Sequence, residues 1–406
     1  MIPLRGVSLD LMITRGDNLS SYAASEKILP LNDLLAEYGQ DIVAAVGEEY
    51  LKATTINGEV MAIPTIRDFC QGIGINYDVE LAKKYDIDMT KVTQLEDLEP
   101  IFETLQAGEG DHSPGLITTG NPFLDRYTLV DKLGDGNGVL LNFGADNTDV
   151  VFYEETEEFK DLVSLFGEWY KKGYIQQDIV TTQDTNYTLL QNNIGFCFFS
   201  NCKPGSANNA SRGVGRPIAN VQFGDYFATT SQVASFNYTI PQSCDDPEAT
   251  MQVLNLIYSD PEVATLLGWG IEGVHYQTLE NGQITFPEGV DGTSSTYFPN
   301  TTWIIGNQFI IPVWANDPAD LWKQQDAAND SAIKSMALGF AFDNSAVLPE
   351  ITAITNVRNE YRYQIECGAC DIDDILPEYI QALKDAGIEN VIAEKQAQLD
   401  AWLAKQ

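Results

Sequence analysis

Four stretches of the sequence combine aromatic rings with hydrogen-bonding side chains where a strand pattern gives way to a loop. That combination can hold a small polar ligand. The first, residues 14–21, contains Asp17 and Asn18 and follows directly on an apolar strand pattern; ligands of open α/β sheets sit beyond the carboxyl ends of strands. The second is Pro64-Thr65-Ile66-Arg67-Asp68-Phe69, where the neighbours Arg67 and Asp68 offer donors and acceptors to hydroxyl groups. The third is Gly268-Trp269-Gly270-Ile271-Glu272-Gly273-Val274-His275-Tyr276. Its glycines admit a ligand close to the backbone, Trp269 offers a flat apolar face to a sugar ring, and Glu272 lies beside it. The fourth, residues 297–309, alternates rings such as Tyr297 and Trp303 with amides such as Asn307; rings stack and amides read hydroxyls. Each stretch has a plainer reading, which stays open on the sequence alone: a solvated turn, a surface ion pair, a helix cap with a core Trp, and core aromatics.

Other chemistries are poorly served. The two histidines, His112 and His275, are far apart, which disfavours a His-rich zinc site and a Ser-His-Asp triad resting on either. Six cysteines are too sparse for a disulfide scaffold. Cys367 and Cys370 have redox-motif spacing without a preceding strand, so a local disulfide or two free thiols is expected rather than a catalytic dithiol. Gly134-Asp135-Gly136-Asn137-Gly138 lacks the Lys and the strand-then-helix setting of a phosphate loop. Residues 131–142 imitate a calcium loop only superficially, because Leu133 takes a ligand position and Asn142 replaces the bidentate Glu. With 59 acidic residues, a glycosidase-like carboxylate pair arises anywhere by chance, and no motif singles one out. No cofactor or metal is implied.

The elements that must position these residues alternate in type. After the opening strand pattern, residues 31–38 have helical spacing that stops at Gly39, and Asn57-Gly58 marks a hairpin. Strands are expected at 60–64 and 72–77, and helices at 79–85 and 94–106, which argues for an α/β layer with a largely parallel sheet. Phe159, Leu162, Val163, Phe166 and Tyr170 predict an amphipathic helix over Glu157–Lys171, ended by Gly173. Residues 200–231 read as the longest irregular stretch. Asp245-Asp246-Pro247 and Asp260-Pro261 each open a helix, and the last 75 residues are helical by pattern.

Composition narrows the partners. The chain has 406 residues, with 23 Lys+Arg against 59 Asp+Glu and a net charge of −36. Dispersed negative charge excludes a nucleic-acid partner and a basic membrane-binding face. A hydrophobic content of 44% supports a large core. At roughly 150 residues per domain the length predicts two or three packed units. No apolar run reaches the roughly 18 residues of a membrane span.

Several segments in this order resemble family 1 extracellular solute-binding proteins, the capture components of ABC sugar importers, and in particular a lipoprotein subgroup of gut Firmicutes with a C-terminal domain of unknown function. They are Leu29-Pro30-Leu31-Asn32-Asp33-Leu34-Leu35, Asn57-Gly58-Glu59-Val60-Met61-Ala62-Ile63-Pro64, Trp169-Tyr170-Lys171-Lys172-Gly173-Tyr174-Ile175 and Asp246-Pro247-Glu248-Ala249. Gly270-Ile271-Glu272-Gly273-Val274-His275-Tyr276 and Gly306-Asn307-Gln308-Phe309 complete the set.

The resemblance implies an α/β, two-lobe periplasmic-binding-protein-like fold (type II) with crossing hinge strands near 72–77 and 236–241 and a helical C-terminal segment. The first lobe would take residues 1–74 and 239–330, the second 75–238, and the helical segment 331–406. It further implies a non-enzymatic monomer holding an oligosaccharide in an interlobe cleft for ABC permease subunits, with Asp17, Asn18, Arg67, Asp68, Trp269, Glu272, Tyr297, Trp303 and Asn307 as ligand contacts. Such relatives are cell-surface lipoproteins that begin with a signal peptide, a lipid-attachment Cys and a first strand-helix-strand unit. The sequence given starts after the corresponding point, so an N-terminal truncation is expected. An extracellular glycoside hydrolase and a peptide-binding protein on the same scaffold are the alternatives.

Overall fold

Packing divides the computed structural model, which describes residues 9–16, 19–110, 114–299 and 301–405, into two units. One comprises Met1–Cys70 and Ala228–Ala341, the other Gln71–Phe227 and Phe342–Gln406. The chain therefore passes between them at 70/71, 227/228 and 341/342, where the sequence reading has 74/75, 238/239 and 330/331.

The first unit is organised on a three-stranded sheet. Asn237–Thr239 is its central strand, paired antiparallel with Met12–Thr14 on one side and Ile63–Pro64 on the other. Two flanking partners hold this strand inside the unit, so the return passage lies at the end of Ile218–Ala228 rather than at 236–241. Met12–Thr14 has a partner on one side among the described residues, and Ile13 stays 46% exposed. Asn57 and Gly58 both have positive φ, which fits a tight hairpin turn joining Thr55–Ile56 to Glu59–Val60. Helices Pro247–Ser259 and Pro261–Trp269 start as expected: the Asp246 carboxylate accepts from Ala249 N, and that of Asp260 from Glu262 N and Val263 N.

In the second unit, Gln71–Asp78 lies between Cys197–Asn201 and Ile218–Ala228, antiparallel to both. The expected parallel sheet is thus corrected. Parallel contact survives as isolated bridges from Leu116 to Ile175 and Cys197. The reason is connectivity: the entering and returning strands pair side by side, Gln71 opposite Phe227, and so run in opposite directions. Residues 200–231 are also regular, forming a helix at Ser206–Val214 and then the long return strand. That helix buries Ser206, Ala210 and Val214 at a spacing of four. Small residues on that face gave the pattern little apolar contrast.

Gly74 shows why glycine stands in the central strand. A Cβ there would lie 2.0 Å from the Val221 carbonyl oxygen of the neighbouring strand. The close approach comes from another backbone. Gly74→Ala should destabilise the unit by about 3 kcal/mol through overpacking, read as a lower urea midpoint; an unchanged midpoint would refute the contact.

Helix Glu157–Lys171 forms as read, with the Thr156 hydroxyl accepting from Phe159 N. Its Phe159, Val163, Phe166 and Trp169 enter a core shared with Ile73, Phe102, Phe123 and Phe199. Helices Leu348–Glu366, Ile372–Asp385 and Ile388–Leu403 contribute Ile354, Ile365, Tyr379, Leu383 and Val391 to that same core.

Candidate functional site

Met12–Thr14 and Ile63–Pro64 both run against Asn237–Thr239, so their carboxyl ends emerge at one edge of the sheet. That edge gathers Arg15 and Gly16, residues 65–68, and the turn before strand Asn237–Thr239. Thr65 N donates to Phe236 O (3.1 Å), and the Thr65 hydroxyl donates to Trp303 O (2.9 Å). Ile66 N donates to Gly306 O and Gln308 N to Ile66 O, which lays the 303–308 segment alongside. The approach is close: a Cβ on Gly16 would sit 2.4 Å from Ala234 O.

Two guanidinium groups face the Phe236 ring, Arg15 at 5.4 Å and Arg67 at 6.0 Å from its centroid. Arg67 donates from Nη1 to Asp68 O (2.9 Å) and from Nη2 to Gln232 O (2.8 Å), while its buried Nε–H has no hydrogen-bond partner. Burial pulls the Arg67 pKa down from its ordinary value, and the Asp68 carboxylate, 3.6 Å away, opposes the shift. Trp303 is 40% exposed. The edge therefore combines a largely buried guanidinium and carboxylate with a part-exposed Trp303, residue types that serve hydroxyl-rich ligands.

The backbone carbonyl of Trp303 reaches the stretch that carries Arg67 and Asp68 through Thr65. Asp17 and Asn18 lie outside the described residues. Trp269 is 8% exposed, packs on Phe298 and Trp314, and donates its indole N–H to Pro312 O (3.0 Å). Tyr297 is near the end of the Trp269 helix, its hydroxyl donating to Leu267 O (2.6 Å), and Glu272 is on the exposed turn that follows. Asn307 is buried and uses both ends of its amide locally, donating to Tyr258 O and accepting from Phe309 N.

Sequence reasoning missed a groove of about 780 Å³ in the second unit. Tyr127, Leu129, Leu162 and Leu165 form apolar parts of its lining; Glu96, Asp146, Asp149, Glu158 and Asp161 add carboxylates. Burial pushes the Tyr127 hydroxyl up to about 12, so the group is a hydrogen-bond donor at neutral pH. The lining comes from four separated stretches, none with the alternation of rings and amides that marks the segments above. The Asn/Asp-rich run from Asn142 to Asp149 was the available signal. A smaller polar pocket of about 300 Å³ holds Asp78, Arg216, Lys84 and Glu109, which neutralise one another as ion pairs. Among the described residues no group of three or more His, Cys, Asp or Glu could hold a metal ion. Cys367 and Cys370 are thiols, both pushed up by burial, Cys370 to about 11. A redox dithiol needs the opposite shift.

A family model described as a domain of unknown function (DUF3502) matches residues 336–404. A carbohydrate ABC transporter substrate-binding protein of Streptococcus pneumoniae serotype 4 is 28% identical over 397 residues, covering 96% of this chain and 79% of that protein. The chain is a homologue of that carbohydrate-transport protein. The N-glycan transport solute binding protein NgtS from Streptococcus pneumoniae superposes with a TM-score of 0.85 at 26% identity, over 98% of this chain and 87% of that one. Its complex with Man1GlcNAc gives 0.75 at 26% identity, over 97% and 87%. The fold of this homologue is therefore that of solute-binding proteins. Three cations of the matched 336–404 segment pair with residues 125–154 of the same unit, Arg358 with Glu154 (2.6 Å), Arg362 with Asp125 and Lys395 with Asp135, and Arg362 also pairs with Glu366 on its own helix. Burial raises the Glu366 carboxyl, and Arg362 counters it.

Proposed function

We propose that this protein captures an oligosaccharide outside the cell and delivers it to the membrane subunits of an ABC importer. The ligand class is a mannose- and N-acetylglucosamine-containing glycan. The observation that carries the reading is the solute-binding fold shared with NgtS, which has been crystallised with Man1GlcNAc and Man5GlcNAc. Two surfaces support it: the sheet edge with Arg67, Asp68 and Trp303, and the acidic groove around Tyr127. At the sheet edge, stacking on Trp303 and hydrogen bonds from Arg67 supply directional binding; in the groove, taken by itself, apolar area supplies it.

Isothermal titration against high-mannose fragments, plant oligosaccharides and peptides tests the reading. Binding of the mannosyl fragments with no released reducing ends is the expected result. Arg67→Ala or Trp303→Ala should each weaken it by roughly 2 kcal/mol, about thirtyfold in Kd. Heat only with peptides, or glycan cleavage, would overturn the proposal. Wild-type affinity in both variants would remove the sheet edge from it.

A further inference from the structure

The 131–142 turn has the Asp/Asn/Gly spacing of a cation loop but the wrong ligand set for calcium, and the fold shows what fills it. The side chain of Lys395, from helix Ile388–Leu403, is fully buried. Its ammonium lies 2.5 Å from Asp135 Oδ1, 3.4 Å from Gly138 O and 4.9 Å from the Phe342 ring centroid. Two further acceptors of the turn meet a second cation: Arg358 donates from Nε to Asn137 Oδ1 and from Nη2 to Gly136 O, both at 3.2 Å. Both cations come from the C-terminal helices. The next residue, Gln396, grips the same segment further on. It accepts from Val150 N (2.6 Å) and donates to Thr148 O (3.1 Å). Between these two holds run Leu141, Asn142, Asp146, Asn147 and Asp149, all of which line the groove.

We propose that Lys395 is a tethered cation that takes the place of a metal ion in the 135–138 turn, and that with Gln396 it positions the groove wall over residues 139–151 for the glycan. The first half stands on geometry alone; the second rests on the glycan reading above. A buried charge that loses its partner is costly, whereas removing both charges together is far less so. Lys395 carries that cost in the folded state: burial pulls its pKa down, and the Asp135 carboxylate opposes the shift. The helix thus delivers to the turn the charge that a bound ion would otherwise bring, at a fixed position.

The test is a cycle of melting temperatures on the whole chain. Asp135→Asn, which leaves the buried Lys395 ammonium without its carboxylate, should lower the melting temperature by roughly 10 °C, and combining it with Lys395→Met should recover most of the loss. The wild type should melt at the same temperature with EDTA or with added calcium chloride. An Asp135→Asn variant as stable as the wild type, a double variant no better than that single one, or a wild type weakened by EDTA overturns the tethered cation. Gln396→Ala then tests positioning. Amide exchange should quicken over 139–151 with protection kept elsewhere, and Kd for Man5GlcNAc should rise roughly tenfold, a loss of about 1.4 kcal/mol. Unchanged exchange, or unchanged Kd in a wild type that binds, overturns the positioning role. A wild type that binds no glycan while the melting cycle behaves as expected overturns the glycan reading and leaves the tethered cation standing.

Discussion

Deletion of residues 342–406 should leave residues 71–227 without a native state, seen in calorimetry as loss of the second unit's melting transition. Val347, Ile354, Ile365, Ile372, Leu376, Leu383, Ile388 and Val391 are buried in one core with Phe123, Phe166 and Phe199. Burying each such aliphatic side chain stabilises by about 1.5–3 kcal/mol, so their joint removal is comparable to or larger than the roughly 5–15 kcal/mol by which a domain is stable. Electrostatics act in the same direction. The deletion takes away Arg358 and Arg362, leaving Glu154, which is 3% exposed, without its ion-pair partner and Asp125 with Lys132 alone. A truncated chain that kept the second transition would show that the C-terminal helices are an accessory layer, and this account of the core would fall.

Trp169→Ala should cost about 4 kcal/mol, measured as a lower urea midpoint at an unchanged slope. The ring is fully buried, meets Phe102 edge-on at 5.1 Å, and packs against Phe166. Its indole N–H donates to Glu99 Oε2 at 3.4 Å. Glu99 in turn accepts from the Lys172 ammonium at 2.5 Å, the main reason its carboxyl is held below the ordinary range. Gly173 follows with φ +77, and Gln106 donates to the Lys172 carbonyl. The stretch from Trp169 to Gly173 is therefore one device that ends a helix and fastens it to Glu99–Glu109. A loss below about 1 kcal/mol would mean that the neighbouring rings refill the cavity.

Features set by neighbours in the chain were legible in the sequence. The apolar spacing of Glu157–Lys171, the acidic caps at Asp246 and Asp260, and the Asn57-Gly58 turn each depend on backbone groups within a few residues. The composition likewise implied a large core and a strong excess of acidic over basic residues. Pairing direction was different. Strands alternating with helices suggested a parallel sheet, yet the partners of Gln71–Asp78 come from more than a hundred residues away, and their direction follows from where the chain enters and leaves the unit.

The candidate site divides in the same way. Residue types drew attention to Arg67, Asp68 and Trp303, but only folding brought Trp303 to Thr65, through a hydrogen bond across 238 residues. It also buried Trp269 against Pro312 and committed both ends of the Asn307 amide. The groove around Tyr127 left only the Asn/Asp-rich run from Asn142 to Asp149 as a local trace, and nothing near the 135–138 turn named its ammonium, for Lys395 and Asp135 are 260 positions apart. The sequence by itself determined which local elements form and what kinds of ligand its charge and rings can serve. Tertiary structure alone decided which polar groups remain available, because a side chain's partner is chosen by packing across the fold and not by its neighbours in the chain.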